Sequence, residues 1–237
     1  MRVVVTGGTG HIGTFILAAL TEAGHEVVNV DRKRPEGWRT RTHVTDLADP
    51  AQVFDALAEL RPDAVVHAAA DPASGGKPRH AHFMGNVGIA HAVYLAASDL
   101  GVRRIVYLSS EQANGFTSAR TAPARFPFDE SVTIPPRTAY AMSKLMGETM
   151  LDSFTAIHPE LSAVSLRVNA AHRPEDPDKM LGWLRRAAEW PNPHFWAWVD
   201  PEDVASAVRL ALEASISGHR VYNLAAPDIK SFVPLRE

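Results

Sequence analysis

The 237-residue sequence contains no cysteine, so disulfides, thiolate metal sites and cysteine nucleophiles are all excluded. It also lacks a charge excess: 24 Lys+Arg stand against 27 Asp+Glu, a formal net charge of −3 at pH 7. That balance argues against a nucleic-acid backbone or an anionic membrane as the main partner, since both call for a basic surplus. Long apolar runs are missing too. Stretches such as Ala90 to Ala97 are interrupted by polar residues, well short of the ~20 residues a bilayer span needs. Met1-Arg2-Val3-Val4-Val5 leads directly into a glycine loop and leaves no room for a signal peptide. The expectation is a soluble cytoplasmic protein. With 46% apolar and 22% charged residues the chain reads as ordinary and globular, long enough for one large domain, or for one domain with a small appendage.

What is present alternates short β-branched runs with amphipathic helical stretches. Strands are expected at Arg2 to Thr6, Glu26 to Asp31, Asp63 to His67, Arg104 to Ser109, Leu161 to Val168 and Arg220 to Leu224. Helices are expected at His11 to Ala23, Pro50 to Leu60, Ala81 to Leu100, Thr138 to Ile157 and Pro201 to Ala214. Val- and Ile-rich strands without strict alternation suit burial on both faces. The βα alternation predicts an α/β fold, a doubly wound parallel sheet of the Rossmann type over residues 1–168. Residues 169–237 are expected to form a small, abbreviated substrate-binding cap, with some segments returning to the core. Prolines 174, 177, 191 and 193 punctuate that region around Trp183, Trp190, Trp196 and Trp198. These tryptophans read as a packing cap or subunit contact before a substrate wall.

Thr6-Gly7-Gly8-Thr9-Gly10-His11-Ile12-Gly13 falls between the first strand and the first helix. Glycine there permits a sharp turn and close approach of backbone N–H groups to a pyrophosphate, which the helix N-terminus then holds. Asp31 ends the second strand 18 residues past Gly13, where a carboxylate can accept hydrogen bonds from ribose hydroxyls. This context makes the loop a dinucleotide site rather than a plain structural turn. A carboxylate at Asp31 repels a 2′-phosphate by about 4 kcal/mol at ~4 Å and an effective dielectric of ~20. Arg32, Lys33 and Arg34 can offset a similar amount, or Arg32 can stack on the adenine. NAD is favoured and NADP stays open.

Tyr140-Ala-Met-Ser-Lys144 puts a phenol and an ammonium four residues apart on one helical face. A tyrosine serving as a base near neutrality must titrate about three pH units below its usual ~10, about 4 kcal/mol. One ammonium ~4 Å away at a dielectric of ~20 supplies about that much.

These motifs, in this order, resemble the extended short-chain dehydrogenase/reductases, the NAD-dependent epimerase/dehydratase family. Thr6 to Gly13, with Gly7, Gly10, His11, Ile12 and Gly13, resembles the family's glycine loop, and Asp31-Arg32 its ribose-binding acid and neighbour. Asp46-Leu47 resembles the adenine-contacting pair, and Ala68-Ala69-Ala70 after His67 the segment lining the cofactor. Asn86 resembles the asparagine that supports the lysine and a proton-relay water, and Ser110 the hydroxyl that holds the substrate oxygen. Arg167-Val168-Asn169 loosely resembles the family's Arg-x-x-Asn region, and Trp198 to Ala205 its later Val-x-Asp-Val-Ala motif. The resemblance implies a mechanism. Tyr140 removes a proton from a substrate hydroxyl while hydride passes to the nicotinamide, Lys144 lowers the tyrosine pKa and holds the ribose, and Ser110 orients the reacting oxygen. It also implies a homodimer joined through the helices at Ala81 to Leu100 and Thr138 to Ile157.

The sequence departs from the family after Ser110, where Ala113-Asn114-Gly115 replaces the usual Val-Tyr-Gly. Only 35 residues separate Arg167 from Asp203 and 34 follow Asp203, fewer than nucleotide-sugar members use there. Arg173-Pro174 also stands where those members have Gly-Pro. In size, and in Lys179-Met-Leu-x-Trp183, the chain is similar to the uronate dehydrogenases, the compact branch acting on free sugar acids. The expected activity is therefore NAD(P)-dependent hydride transfer at a hydroxyl or carbonyl carbon of a sugar or sugar acid. A nucleotide-sugar epimerase or dehydratase with tightly held NAD, and a non-catalytic NAD(P)-binding regulator, are the alternatives. His80, His82 and His91 do not share a helical face, so no metal site is expected. A Ser/His/Asp hydrolase lacks its nucleophile elbow. Glu111 reads as a strand-end carboxylate rather than a dehydratase acid.

Overall fold

The computed structural model describes residues 1–72, 76–119, 121, 123, 127–172 and 197–228. In chain order the elements are β1 (Arg2–Thr6), α1 (His11–Glu22), β2 (Glu26–Asp31), β3 (Thr42–Val44), α2 (Pro50–Leu60), β4 (Ala64–His67), α3 (Arg79–Asp99) and β5 (Arg104–Ser110). A 3-10 turn (Glu111–Asn114) and the short α4 (Phe116–Ala119) follow, then α5 (Ala139–Ile157), β6 (Ser162–Val168), β7 (Ala170–Ala171), β8 (Trp198–Val199), α6 (Pro201–Glu213) and β9 (Gly218–Leu224). Seven strands form one sheet in the order β3-β2-β1-β4-β5-β6-β9, and every pairing is parallel. This is the doubly wound Rossmann arrangement. Its strand order reverses between β1 and β4, so the crevice for a ligand opens at the carboxyl ends of those two strands.

Both faces of the sheet are covered, which explains strands without alternation. Val3 and Val5 face a core shared with Ile16, Leu17 and Leu20 of α1 and Val204 and Val208 of α6. Val4 faces the other core, with Leu57 of α2, Val93 of α3 and Leu151 of α5. Local chemistry fixes the helix starts. Asp49 caps α2 by accepting from Ala51 N and Gln52 N, and Thr138 caps α5 by accepting from Ala141 N. Asp200 caps α6 by accepting from Glu202 N, with Pro201 at the first position, where its missing N–H costs nothing.

The expected elements are present with ends shifted by one or two residues. Five elements were not foreseen: β3, the β7–β8 pair, the turn at Glu111–Asn114 and α4 are two to four residues long, too short to carry a periodic signal. β9 lies beside β6 and extends the main sheet from within the region expected to form the cap. Trp198 lies in β8 and donates from Nε1 to Asp228 Oδ1 at 2.9 Å. Trp183, Trp190 and Trp196, prolines 174, 177, 191 and 193, Arg173 and the Lys179 to Trp183 stretch lie outside the described residues. Among the described residues no helix is long and apolar enough to cross a membrane.

Candidate active site

The glycine loop leaves β1 and folds against β4. Gly7 adopts φ +74°, and a Cβ on it would sit 2.6 Å from the Ala69 Cα. A Cβ on Gly13 would run into the Gly7 carbonyl oxygen, so α1 packs this close to the loop only with glycine there. Gly10 donates to Gly7 O at 3.0 Å and stands as the N-cap of α1, with no side chain capping the helix. Those free N–H groups are what an anion would meet. Asn29 steadies the loop from beneath, its Oδ1 accepting from Gly8 N at 2.9 Å.

A cavity of about 470 Å³ opens in front of this loop. Gly7, Gly10, Asp31, Arg32, Asp46, Leu47, Ala68, Ala69, Ala70 and Asn86 all line it, together with Thr9, Asp71, Lys77 and His82. His11, Ile12 and Gly13 belong to the first turn of α1 behind the loop: His11 is exposed, its ring 6.2 Å from Phe15, and Gly13 is buried. The glycine cradle, the open helix N-terminus and an acid at the end of β2 fit a dinucleotide.

At the far end of β5, Ser110 is buried, accepts from Gln112 N at 3.3 Å, and reaches the Tyr140 phenol with its hydroxyl. Tyr140 and Lys144 project from the first two turns of α5, and Lys144 is 3% exposed. Its Nζ donates to Leu108 O at 2.7 Å and lies 5.6 Å from the Tyr140 ring centre and 4.9 Å from that of Tyr107. Burial pushes the Lys144 ammonium down to about 7, against the opposing pull of the Glu148 carboxylate. Burial likewise pushes Tyr140 up to about 12; the Ser110 hydrogen bond works against that and the Glu111 charge reinforces it. The expectation that Lys144 lowers Tyr140 towards neutrality is therefore not met. Its cation is turned to a backbone carbonyl, and dehydration outweighs it.

Asn86 holds the loop after β4 rather than the lysine directly. Its Oδ1 accepts from Asp71 N at 2.9 Å, and its Nδ2 donates to Asp71 O at 3.1 Å and to Ser143 Oγ at 3.4 Å. Glu111 accepts from Thr117 Oγ1 at 2.6 Å. The departure at Ala113-Asn114-Gly115 forms a tight turn: Gly115 has φ +90°, and Asn114 O accepts from Ile134 N at 2.9 Å.

Of two further residues beside this site, Glu148 escaped the sequence reading and His82 was weighed there only as a metal ligand. Glu148, one turn past Lys144, is 3% exposed and forms an ion pair with Arg167 (2.8 Å), its Oε1 also accepting from Ser109 Oγ at 2.6 Å. The available signal was the spacing Tyr140–Lys144–Glu148, three positions on one helical face. His82 lies parallel to the Tyr140 ring at 6.1 Å and donates from Nε2 to Asp71 O at 2.8 Å. It sits one turn before Asn86 and so shares its face.

A third cluster lies away from the cavity. Ser165 Oγ is 2.8 Å from His219 Nε2, and His219 Nδ1 is 2.8 Å from Asp152 Oδ1. The order mimics a hydrolase, but Ser165 sits mid-strand in β6 with no exposed surface. The trio straps β9 to β6 and α5.

Comparison with known proteins agrees with this geometry. The model of the NAD dependent epimerase/dehydratase family matches residues 3–225. The UDP-glucose 4-epimerase of Mycolicibacterium smegmatis is 31% identical over 170 residues, 67% of this chain but 52% of that protein, so the chain spans about half the relative's length. The UDP-glucose 4-epimerase of Thermus thermophilus, solved in complex with NAD, superposes with a TM-score of 0.77 at 27% identity, over 96% of this chain and 78% of that one. A mutated uronate dehydrogenase superposes with a TM-score of 0.74 over 96% of this chain and 74% of that one, and at 24% identity it speaks for the fold alone. By its fold, its glycine loop and the match along nearly its whole length, the chain belongs to the NAD dependent epimerase/dehydratase family.

Proposed function

We propose that the chain is an NAD(P)-linked oxidoreductase that transfers hydride at a hydroxyl- or carbonyl-bearing carbon of a sugar or sugar acid, with Tyr140 handling the proton. The observation that carries this reading is the meeting of Ser110, Tyr140 and Lys144 at β5 and α5, next to His82 and Asn86, which line the cavity leading from the glycine loop. The loop glycines and the α1 N-terminus would hold the pyrophosphate, Asp31 the adenine ribose, Asp46 and Leu47 the adenine, and Ala68 to Ala70 with Lys144 the nicotinamide end. When bound, NAD supplies the hydride acceptor. Ser110 orients the substrate oxygen by hydrogen bonding. Tyr140 as phenolate takes the hydroxyl proton during oxidation. In the reducing direction the protonated phenol, the form favoured at about 12, gives that proton to the carbonyl oxygen. The 35 residues between Arg167 and Asp203 favour a small substrate.

A second reading, epimerisation of a nucleotide sugar, draws on the relatives: the M. smegmatis and T. thermophilus proteins are both UDP-glucose 4-epimerases. Absorbance at 340 nm with NAD or NADP, against free sugars, sugar acids and nucleotide sugars, separates the two. Steady growth with a free sugar or sugar acid supports the dehydrogenase. Isomerisation of a nucleotide sugar without net reduced cofactor favours the epimerase, and neither would leave the regulator. The same reading includes a homodimer through α3 and α5, which leave Met84, Met142 and Met146 exposed; a monomeric mass by light scattering refutes it.

A further inference from the structure

Tyr140 stands in the first turn of α5, at its second residue. Helix geometry sets its Cα but leaves the ring two torsions to choose. The Ser110 hydroxyl holds the phenol at one point, its oxygen. A ring tied only there can swing about that point, and misplacing a reacting group by about 1 Å can cost about 10²-fold in rate. The face of the ring needs a hold of its own.

α3 supplies it. The His82 ring, 6% exposed, lies 6.1 Å from the Tyr140 ring centre with 19° between the two planes, an offset stack of the kind aromatic pairs prefer. His82 is itself locked. Its Nε2 donates to Asp71 O at 2.8 Å, and Asn86, one turn on, donates to the same oxygen at 3.1 Å, so both lone pairs of that carbonyl are engaged. Asp71 is pinned again at its N by Asn86 Oδ1 (2.9 Å) and at its carboxylate by Lys77 Nζ (2.6 Å). The same face of α3 also reaches the main chain of Tyr140: Asn86 Nδ2 donates to Ser143 Oγ at 3.4 Å, and that hydroxyl donates to Tyr140 O at 2.7 Å. A histidine at position 82 meets two demands at once, a flat ring for Tyr140 and an N–H for Asp71. Phenylalanine would keep the first and glutamine the second.

We propose that His82 is a positioning residue for the proton transfer: its ring, anchored on the Asp71 carbonyl, fixes the face of Tyr140 and so keeps the phenol oxygen on Ser110. It acts through Tyr140 rather than on the substrate. The inference rests on Tyr140 handling the proton, as proposed above.

The test compares the unaltered chain with His82→Ala, His82→Phe and His82→Gln. Each is assayed on whichever sugar, sugar acid or nucleotide sugar of the panel above the unaltered chain turns over, and each is titrated calorimetrically with NADH. His82→Ala should lower kcat by about ten- to a hundredfold, with KM and the NADH dissociation constant held within about threefold. His82→Phe should restore kcat to within about threefold of the unaltered chain, and His82→Gln should lose as much as His82→Ala. The split between kcat and KM and the rescue by a ring alone are what a merely structural histidine would not produce. Should His82→Ala fail to fold, His82→Gln stands as the variant without a ring. A ring-free variant that holds kcat within about threefold overturns the inference. So does a His82→Phe variant that falls as far as the ring-free ones, or a loss that appears in KM or in NADH affinity instead. In each of these cases the unaltered chain still turns over and the functional reading stands. No turnover by the unaltered chain overturns that reading, and this inference with it.

Discussion

Lys144→Met should change how stability depends on pH, in a direction and by an amount the structure sets. Lys144 is 3% exposed, and burial pushes its ammonium down to about 7 from the 10.5 of a free lysine. Between those values the unfolded chain holds a proton that the folded chain has released, so raising the pH favours the fold. The stability is complete above 10.5 and is lost progressively as the pH falls towards 7. Each pH unit inside the window is worth about 1.4 kcal/mol, so two units are worth about 3 kcal/mol. Tyr140, pushed up to about 12, keeps its proton in the folded chain throughout and does not blur the reading. The assay is urea unfolding of both proteins at pH 7.5, 8.5 and 9.5 at constant ionic strength. The stability difference, unaltered chain minus Lys144→Met, should rise by about 3 kcal/mol across the series. A difference constant to within about 0.5 kcal/mol refutes the reasoning. It would mean that Glu148 and the Leu108 carbonyl keep the lysine charged despite its burial.

Three more predictions concern the same network. Tyr140→Phe should lower turnover by about 10² to 10⁴-fold while calorimetric cofactor affinity stays within about threefold; retained activity would remove the tyrosine from the chemistry. Glu148→Ala leaves Arg167 as an unpaired charge in β6, a loss of about 3–5 kcal/mol, and should lower the melting temperature by about 10 °C in a thermal scan; a drop below about 3 °C counts against that pair. His67 is buried against Tyr107, with its Nδ1 2.7 Å from Thr6 Oγ1, and is pushed down to about 3. The unfolded histidine binds a proton below ~6.5 and the folded one does not, so stability should fall by about 1.4 kcal/mol per pH unit from pH 6 to 4. Urea melts of His67→Gln should lack that slope.

The parts of the site legible in the sequence are those encoded by local chemistry. Gly7 and Gly13 announce themselves because no other residue fits a turn that close to Ala69 and α1. Asp31 follows from its position at the end of a strand, and Tyr140 with Lys144 from helical spacing. What escaped depends on how distant segments meet. Glu148 gains its meaning from Arg167, which arrives from β6, and from Ser109, which arrives from β5. His82, weighed in the sequence only as a metal ligand, gains its meaning from the ring it faces across α3 and α5. Thr9 sits inside the glycine motif and is invisible as a contact until β2 brings Asp31 to it. The sign of the tyrosine's titration went astray for a related reason. Spacing gives the separation of two side chains along a helix, but not where the lysine's nitrogen turns or how much water remains.

That sign bears on how the site can work. With Tyr140 at about 12 and Lys144 at about 7, moving a proton from phenol to amine crosses about five pH units, an uphill step of about 7 kcal/mol. A unit charge ~4 Å away at an effective dielectric of ~20 is worth about 4 kcal/mol, so no single cation closes the gap. Two favourable charges would, and Lys144, its Nζ 5.6 Å from the Tyr140 ring centre, can supply one of them. Burial thus favours the protonated form of Tyr140. The Glu148 carboxylate works against burial at the lysine, raising its affinity for a proton. The helix that carries Tyr140 and Lys144 therefore also carries, one turn on, the carboxylate that draws the lysine's titration back upward.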